Sequence, residues 1–150
     1  MPYLFLVQHA EAKSEEEDPE RRITDKGREE TAKIAEFLKK AGVKIDKVFH
    51  STKTRAKQTA EIIAKTLGIS EVIEAENLEP LADPSIWAEK LKEIKENVMI
   101  VGHLPHLSRL LTEITKSKEE VVKFRYSGVV CLEKEDDKYR VLWIVRPDII

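Results

Sequence analysis

The chain has 150 residues, of which 41% are hydrophobic and 36% charged, with only 5 glycines and 6 prolines. This size and composition predict one folded domain over residues 1–150 and exclude the collagen-like, low-complexity and disordered classes. A net charge of -2 provides no overall positive field, so we expect neither nucleic acid nor an anionic membrane surface as a partner. Every apolar run is far shorter than the ~20 residues of a membrane-spanning helix.

The single cysteine, Cys131, cannot form an internal disulfide and lies in an apolar, strand-like segment. We expect a buried, unreactive thiol in a protein of the cytoplasm. The apolar run Tyr3–Val7 is about half the length of a signal-peptide core and follows no basic segment, so we predict no export signal. No pattern indicates an oligomer, and a monomer is the default expectation.

Hydrophobic periodicity predicts strands that alternate with helices along most of the chain. The predicted strands are residues 3–7, 47–50, 71–75 and 97–101, and the predicted helices are residues 24–41, 52–67, 84–96 and 104–116. Thr24 and Ser51–Thr52 are suitable helix caps, and Gly42 and Gly68 are suitable helix stops. After residue 118 only strand signals remain, over Val121–Arg125, Val129–Glu133 and Tyr139–Val145.

This alternation predicts an α/β fold. Right-handed crossovers between successive strands favour a mostly parallel sheet with helices on both faces, which is a three-layer α/β/α sandwich. The near-continuous apolar strands agree with burial on both faces. The three strands at the end of the chain have no helices between them, so we expect an antiparallel C-terminal part.

Three polar residues lie shortly after the ends of three predicted strands. His9 follows the first strand, His103 follows the fourth, and Arg55 begins the helix after the second. Because ligands of open α/β sheets bind beyond the carboxyl ends of the strands, we expect these side chains to converge. Imidazoles, a guanidinium and helix N-terminal amides together form an anion site, and the natural ligand is a phosphoryl group.

Four segments resemble the motifs of a known family, the histidine phosphatase superfamily, and within it the short phosphohistidine phosphatases of the SixA type. The segments are LVQHAEA (6–12), RRITDKG (21–27), STKTRAKQTA (51–60) and VGHLPHL (101–107). Their order and spacing extend the resemblance over residues 1–131. It implies a phosphoglycerate mutase-like fold and a phosphatase that works without a cofactor.

The resemblance also implies roles for particular residues. His9 would be the nucleophile that forms a phosphohistidine intermediate, and Arg55 and His103 would be catalytic and bind the phosphoryl oxygens. Arg21, which matches the arginine of the linking motif, would bind the same phosphate. The spacing between these motifs leaves no room for a lid insertion, so we expect an open site that accepts a phosphohistidine on a phosphotransfer or phosphocarrier protein.

Gln8 departs from the family pattern, which has an arginine directly before the nucleophilic histidine. A glutamine amide can donate a hydrogen bond to phosphate but lacks the charge and the bidentate fork of arginine. Losing one such donor costs roughly 2.7–4 kcal/mol, or a hundredfold or more in rate. One alternative is therefore a relative that binds phosphate or phosphohistidine with weak or no hydrolysis.

A second alternative is a small-molecule phosphomonoesterase, which requires a general acid for its poorer leaving group. Larger relatives have a glutamate in the loop after the third strand, and Glu79 is the candidate here. His103 and His106 have a spacing that could bind a metal, but no third ligand motif accompanies them, so we predict no metal site.

Overall fold

The computed structural model describes residues 2–150, which form one mixed six-stranded sheet and four α-helices. The strands are β1 (Tyr3–Gln8), β2 (Lys47–His50), β3 (Glu71–Glu74), β4 (Val98–Gly102), β5 (Val129–Glu135) and β6 (Lys138–Val145). The helices are α1 (Asp25–Lys40), α2 (Thr54–Leu67), α3 (Pro84–Glu93) and α4 (His106–Ile114), and a short 3-10 turn covers Pro147–Ile149.

The strand order is β3-β2-β4-β1-β5-β6. The four strands from β3 to β1 are parallel, whereas β5 and β6 are antiparallel to their neighbours. Helices α1 and α2 pack on one face of the sheet, and α3 and α4 pack on the other. The predicted α/β class, the three layers and the antiparallel C-terminal part are confirmed.

Each face of the sheet has its own apolar core because side chains alternate along a strand. In β1, Leu4 and Leu6 point to the α3/α4 side, and Phe5 and Val7 point to the α1/α2 side. The four side chains are at most 2% exposed. This two-sided burial explains why the central strands are almost continuously apolar.

The local signals for α1 are confirmed. Thr24 is the N-cap, and its hydroxyl accepts a hydrogen bond from the Gly27 backbone amide at 2.9 Å. A Cβ atom at Gly27 would lie 2.4 Å from the carbonyl oxygen of Glu11. Glycine therefore lets the first turn of α1 pack against the segment that follows β1.

Two local predictions are wrong. The segment Val121–Arg125 has alternating burial, and Phe124 packs into the α3/α4 core, but it pairs with no strand in the described part of the chain. The segment is held by the packing of Phe124, and it is the following residue, Tyr126, that forms a β-bridge with Gln8 of β1. Helix α2 begins at Thr54 after an N-cap at Lys53, and the Ser51 hydroxyl lies before the cap, where it accepts from the Lys53 amide at 3.3 Å and also bonds to His103.

Candidate active site

His9 lies directly after β1 and is buried, with 6% of its surface exposed. Its ring Nδ1 lies 2.7 Å from the carbonyl oxygen of Ala10. A carbonyl oxygen can only accept, so Nδ1 carries the proton and donates it. The Nε2 atom therefore has a free lone pair, which is the state needed for nucleophilic attack.

The surroundings of His9 keep its ring neutral. Burial lowers its pKa from 6.5 to about 4, and the positive charges of Arg55 and Arg21 act in the same direction, while the hydrogen bond to Ala10 opposes them. An imidazole with this pKa is unprotonated at neutral pH. The nucleophilic form of His9 is thus the resting form.

His103, at the end of β4, lies next to His9 with the two ring centroids 5.0 Å apart. Its Nε2 shares a hydrogen bond of 2.6 Å with the hydroxyl of Ser51, which follows β2. Burial, followed by the charges of His9 and Arg55, lowers the pKa of His103 to about 3. Adjacent parallel strands thus bring together residues that are far apart in sequence.

Two guanidinium groups add positive charge to this pocket. Arg55 is in the first turn of α2, and its Nε is buried without a hydrogen-bond partner among residues 2–150. Burial, and then the charge of Arg21, lowers the pKa of Arg55. Arg21 has a positive φ of 52° and is held by a 2.9 Å hydrogen bond from its Nε to the carbonyl of Lys13. Two like charges that repel each other beside neutral histidines favour a bound anion.

Thr59 connects α2 to the segment after β1, and the sequence analysis assigned it no role. Its hydroxyl donates to the carbonyl of Arg55 at 2.8 Å and accepts from the Ala10 amide at 2.9 Å. Thr59 is fully buried. It therefore aligns the turn containing Arg55 with the backbone that holds His9.

Gln8 lies inside the sheet with 9% of its surface exposed, and its backbone is paired with Gly102 of β4. Glu79 is partly exposed in the loop after β3. Burial lowers the pKa of His106, and the negative charge of Glu79 acts in the opposite direction. Glu79 is thus a neighbour of His106 in α4. His106 itself is fully buried.

Tyr126 is a further residue of this pocket that the sequence analysis missed. Its ring centroid lies 5.5 Å from that of His9, on a loop before β5. Neither periodicity nor a motif distinguishes this tyrosine from others in the chain. Only its tertiary position brings it to the pocket.

Residues 2–150 contain neither a cluster of metal-ligating side chains nor a membrane-spanning helix. Histidine, cysteine, aspartate and glutamate side chains form no group of three or more there that could hold a metal ion. Among the helices of the same residues, none has the length and apolar character needed to cross a membrane.

Comparison with protein-family models gives a match to the histidine phosphatase superfamily (branch 1) over residues 4–97. The chain belongs to this superfamily. The matched residues include both His9 and Arg55, and the resemblance inferred from the motifs is confirmed.

Individual proteins match different lengths of this chain. Phosphohistidine phosphatase SixA of Escherichia coli K12 is 27% identical over 117 residues, which cover 74% of this chain and 73% of SixA. The mitochondrial serine/threonine-protein phosphatase PGAM5 of Xenopus tropicalis is 38% identical over 66 residues, 43% of this chain. That alignment covers 24% of PGAM5, so the chain spans only a quarter of that relative.

The solved structures show that the fold is shared. The structure of the protein histidine phosphatase SixA in complex with tungstate superposes with a TM-score of 0.89 and covers 97% of both chains, at 24% sequence identity. The predicted phosphoglycerate mutase-like fold is confirmed by this match.

Proposed function

We propose that this protein is a phosphatase that removes phosphate from a histidine of a partner protein through a phosphohistidine intermediate on His9. The observation that carries the proposal is the tautomer of His9. Its Nδ1–H is bound to the Ala10 carbonyl, its Nε2 is free, and its pKa of about 4 keeps the ring neutral. The similarity to SixA, named as a phosphohistidine phosphatase, supports the substrate class.

In the first step, the Nε2 lone pair of His9 attacks phosphorus and the bond from phosphorus to the substrate imidazole breaks. The substrate ring, protonated at its other nitrogen, leaves as neutral imidazole. His9 keeps its Nδ1 proton, so its phosphorylated ring is cationic, and the Ala10 carbonyl 2.7 Å away stabilises that cation. The phosphoryl group passes between two equivalent leaving groups, and no strong general acid is required.

In the second step, a water oxygen attacks phosphorus and the bond to Nε2 of His9 breaks. The electron pair returns to Nε2, the water proton leaves with inorganic phosphate, and neutral His9 is restored. Arg55, Arg21 and His103 surround this position and would stabilise charge on the equatorial phosphoryl oxygens. Every group that acts comes from the chain itself, so we propose a reaction without a cofactor.

Gln8 favours a second candidate function, a protein that binds phosphate or phosphohistidine and hydrolyses it slowly or not at all. An uncharged amide stands where the family has an arginine, while Arg55 and Arg21 still supply positive charge for binding. The phosphomonoesterase alternative is the third candidate, and it requires Glu79, a neighbour of His106, as the general acid.

The test is phosphate release from a phosphohistidine-bearing phosphocarrier protein by wild type, His9→Ala and Gln8→Arg. We expect turnover by wild type, loss of turnover and of the acid-labile phosphoenzyme in His9→Ala, and faster turnover in Gln8→Arg. Full activity of His9→Ala would contradict the mechanism. Phosphate binding by wild type without turnover, together with turnover by Gln8→Arg, would support the binding protein instead.

A matched control is available at the neighbouring strand end. His50 is also buried, and its Nδ1 lies 2.8 Å from the carbonyl of the next residue, Ser51, so it has the same local geometry as His9. His50→Asn should retain the phosphoenzyme label. Loss of the label in both variants would show that it does not report on His9.

A further inference from the structure

One aromatic side chain at the mouth of the pocket has no role in the mechanism above. Tyr126 is 43% exposed, whereas the neighbouring His9 is only 6% exposed. The Tyr126 and His9 rings are tilted by 43° with centroids 5.5 Å apart, and His103 lies 5.0 Å from His9. Tyr126 thus exposes an aromatic surface to solvent directly beside the nucleophile.

The backbone that carries this exposed ring is fixed by hydrogen bonds. Tyr126 forms a β-bridge with Gln8, and the next amide, that of Ser127, donates to the Gln8 carbonyl at 2.9 Å. Ser127 has a positive φ of 61°, is fully buried, and shares a 2.8 Å hydrogen bond with the hydroxyl of Thr31 in α1. An exposed tyrosine on such a fixed backbone is preorganised for contact with a ligand.

We propose that the ring of Tyr126 is one wall of the leaving-group site and selects substrates whose phosphoryl group is attached to a flat aromatic ring. In an in-line displacement the leaving group lies beyond the phosphoryl group, on the solvent side of His9. Tyr126 lies 5.5 Å from the His9 ring, so a flat ring bound beside His9 would come within the 4.5–7 Å centroid separation at which aromatic rings interact favourably. The imidazole of a phosphohistidine fits this description.

This inference rests on the proposed function for its natural substrate, but its physical content is separable from hydrolysis. It assigns the preference for an aromatic leaving group to the ring of Tyr126. The phenol also lies close enough to Arg55 to affect that group's pKa, so a hydroxyl contact with phosphate is the competing explanation. A third explanation is that the ring only supports His9.

The first experiment measures binding of phenylphosphonate and methylphosphonate, neither of which can be hydrolysed, by calorimetry. Tyr126→Ala should weaken phenylphosphonate binding by roughly 3- to 10-fold, the size of an aromatic pair, and leave methylphosphonate binding unchanged. Tyr126→Phe should bind both like wild type. Tyr3→Ala, which removes a tyrosine of similar exposure (37%) at the opposite end of β1, is the control and should change neither affinity.

Three results would overturn the inference. Equal weakening of both phosphonates in Tyr126→Ala would show that the ring supports His9. Equal losses in Tyr126→Phe and Tyr126→Ala would assign the effect to the hydroxyl. Absence of any preference of wild type for phenylphosphonate, including no binding, would show that the exposed ring does not face the ligand.

The second experiment compares turnover of phosphohistidine and phospholysine peptides, which both contain a phosphorus–nitrogen bond but differ in the aromatic ring. Tyr126→Ala should lower kcat/KM roughly 3- to 10-fold for phosphohistidine only, and an equal loss for phospholysine would contradict the inference. If wild type discriminates between the phosphonates but hydrolyses neither peptide, the proposed function fails while the assignment of Tyr126 stands.

Discussion

Acidification should destabilise the protein through His9, and the size of the effect follows from its burial. The pKa of His9 is about 4 in the folded chain against 6.5 for a free side chain. Between these values the unfolded chain takes up a proton that the folded chain does not. His9 therefore causes no loss of folding stability above about pH 6.5, and the loss grows as the pH falls towards 4.

The magnitude can be worked out from these two pKa values. A difference of 2.5 pKa units corresponds to about 3 kcal/mol once both states are protonated, and about 2 kcal/mol of this is already lost at pH 5. His103, with a pKa of about 3, contributes in the same direction. Because the charge of His9 also lowers the pKa of His103, removal of His9 should reduce the contribution of His103 as well.

The assay is urea denaturation of wild type and His9→Asn at pH 7.5 and pH 5. Wild type should lose about 2 kcal/mol more of its free energy of unfolding than the variant on going to pH 5. Asparagine keeps a polar side chain at this position and does not titrate. Parallel losses in the two proteins, within about 0.5 kcal/mol, would refute the assignment of a neutral, desolvated His9.

Further predictions concern the side chains that hold this pocket together. Ser51→Ala leaves the buried Nε2 of His103 without its 2.6 Å partner; it should lower kcat in steady-state kinetics and reduce the free energy of unfolding by about 1–3 kcal/mol in urea denaturation. Thr59→Val leaves the buried Ala10 amide without its acceptor, and urea denaturation should show a loss of about 1–3 kcal/mol. Gln8→Arg should increase affinity for tungstate about tenfold or more by calorimetry, because it restores a charged donor; unchanged affinity would mean that position 8 does not face the anion.

The sequence alone was sufficient to predict the alternating strands and helices from β1 to α4 and the convergence of His9 and His103 beyond the ends of two strands. Both follow from local chain physics, because hydrophobic period distinguishes strands from helices and the carboxyl ends of parallel strands share one edge. The proximity of His9 and His103, 94 positions apart, was predicted in this way and is seen as a ring separation of 5.0 Å.

Pairing between segments was less predictable. The alternation of Val121–Arg125 correctly indicates a buried side that includes Phe124, but strand pairing also requires a free neighbouring edge. Whether an edge lies next to the segment depends on the whole sheet, and here it is the following residue, Tyr126, that forms a β-bridge with Gln8 of β1. Ser51 was likewise predicted as a cap for α2; its hydroxyl accepts from the Lys53 amide just before the helix, and it also bonds to His103, which follows a different strand.

The features that define the chemistry of the site were decided by tertiary structure. The tautomer of His9 depends on a carbonyl orientation, its pKa depends on how much water the surrounding layers exclude, and the position of Tyr126 depends on a loop held through Gln8 and Ser127. The His9 tautomer is set by the carbonyl of the adjacent Ala10, whereas the pKa of His9 and the position of Tyr126 arise from contacts between segments that are distant in sequence. Sequence determined which groups reach the strand ends, and packing determined their protonation and orientation.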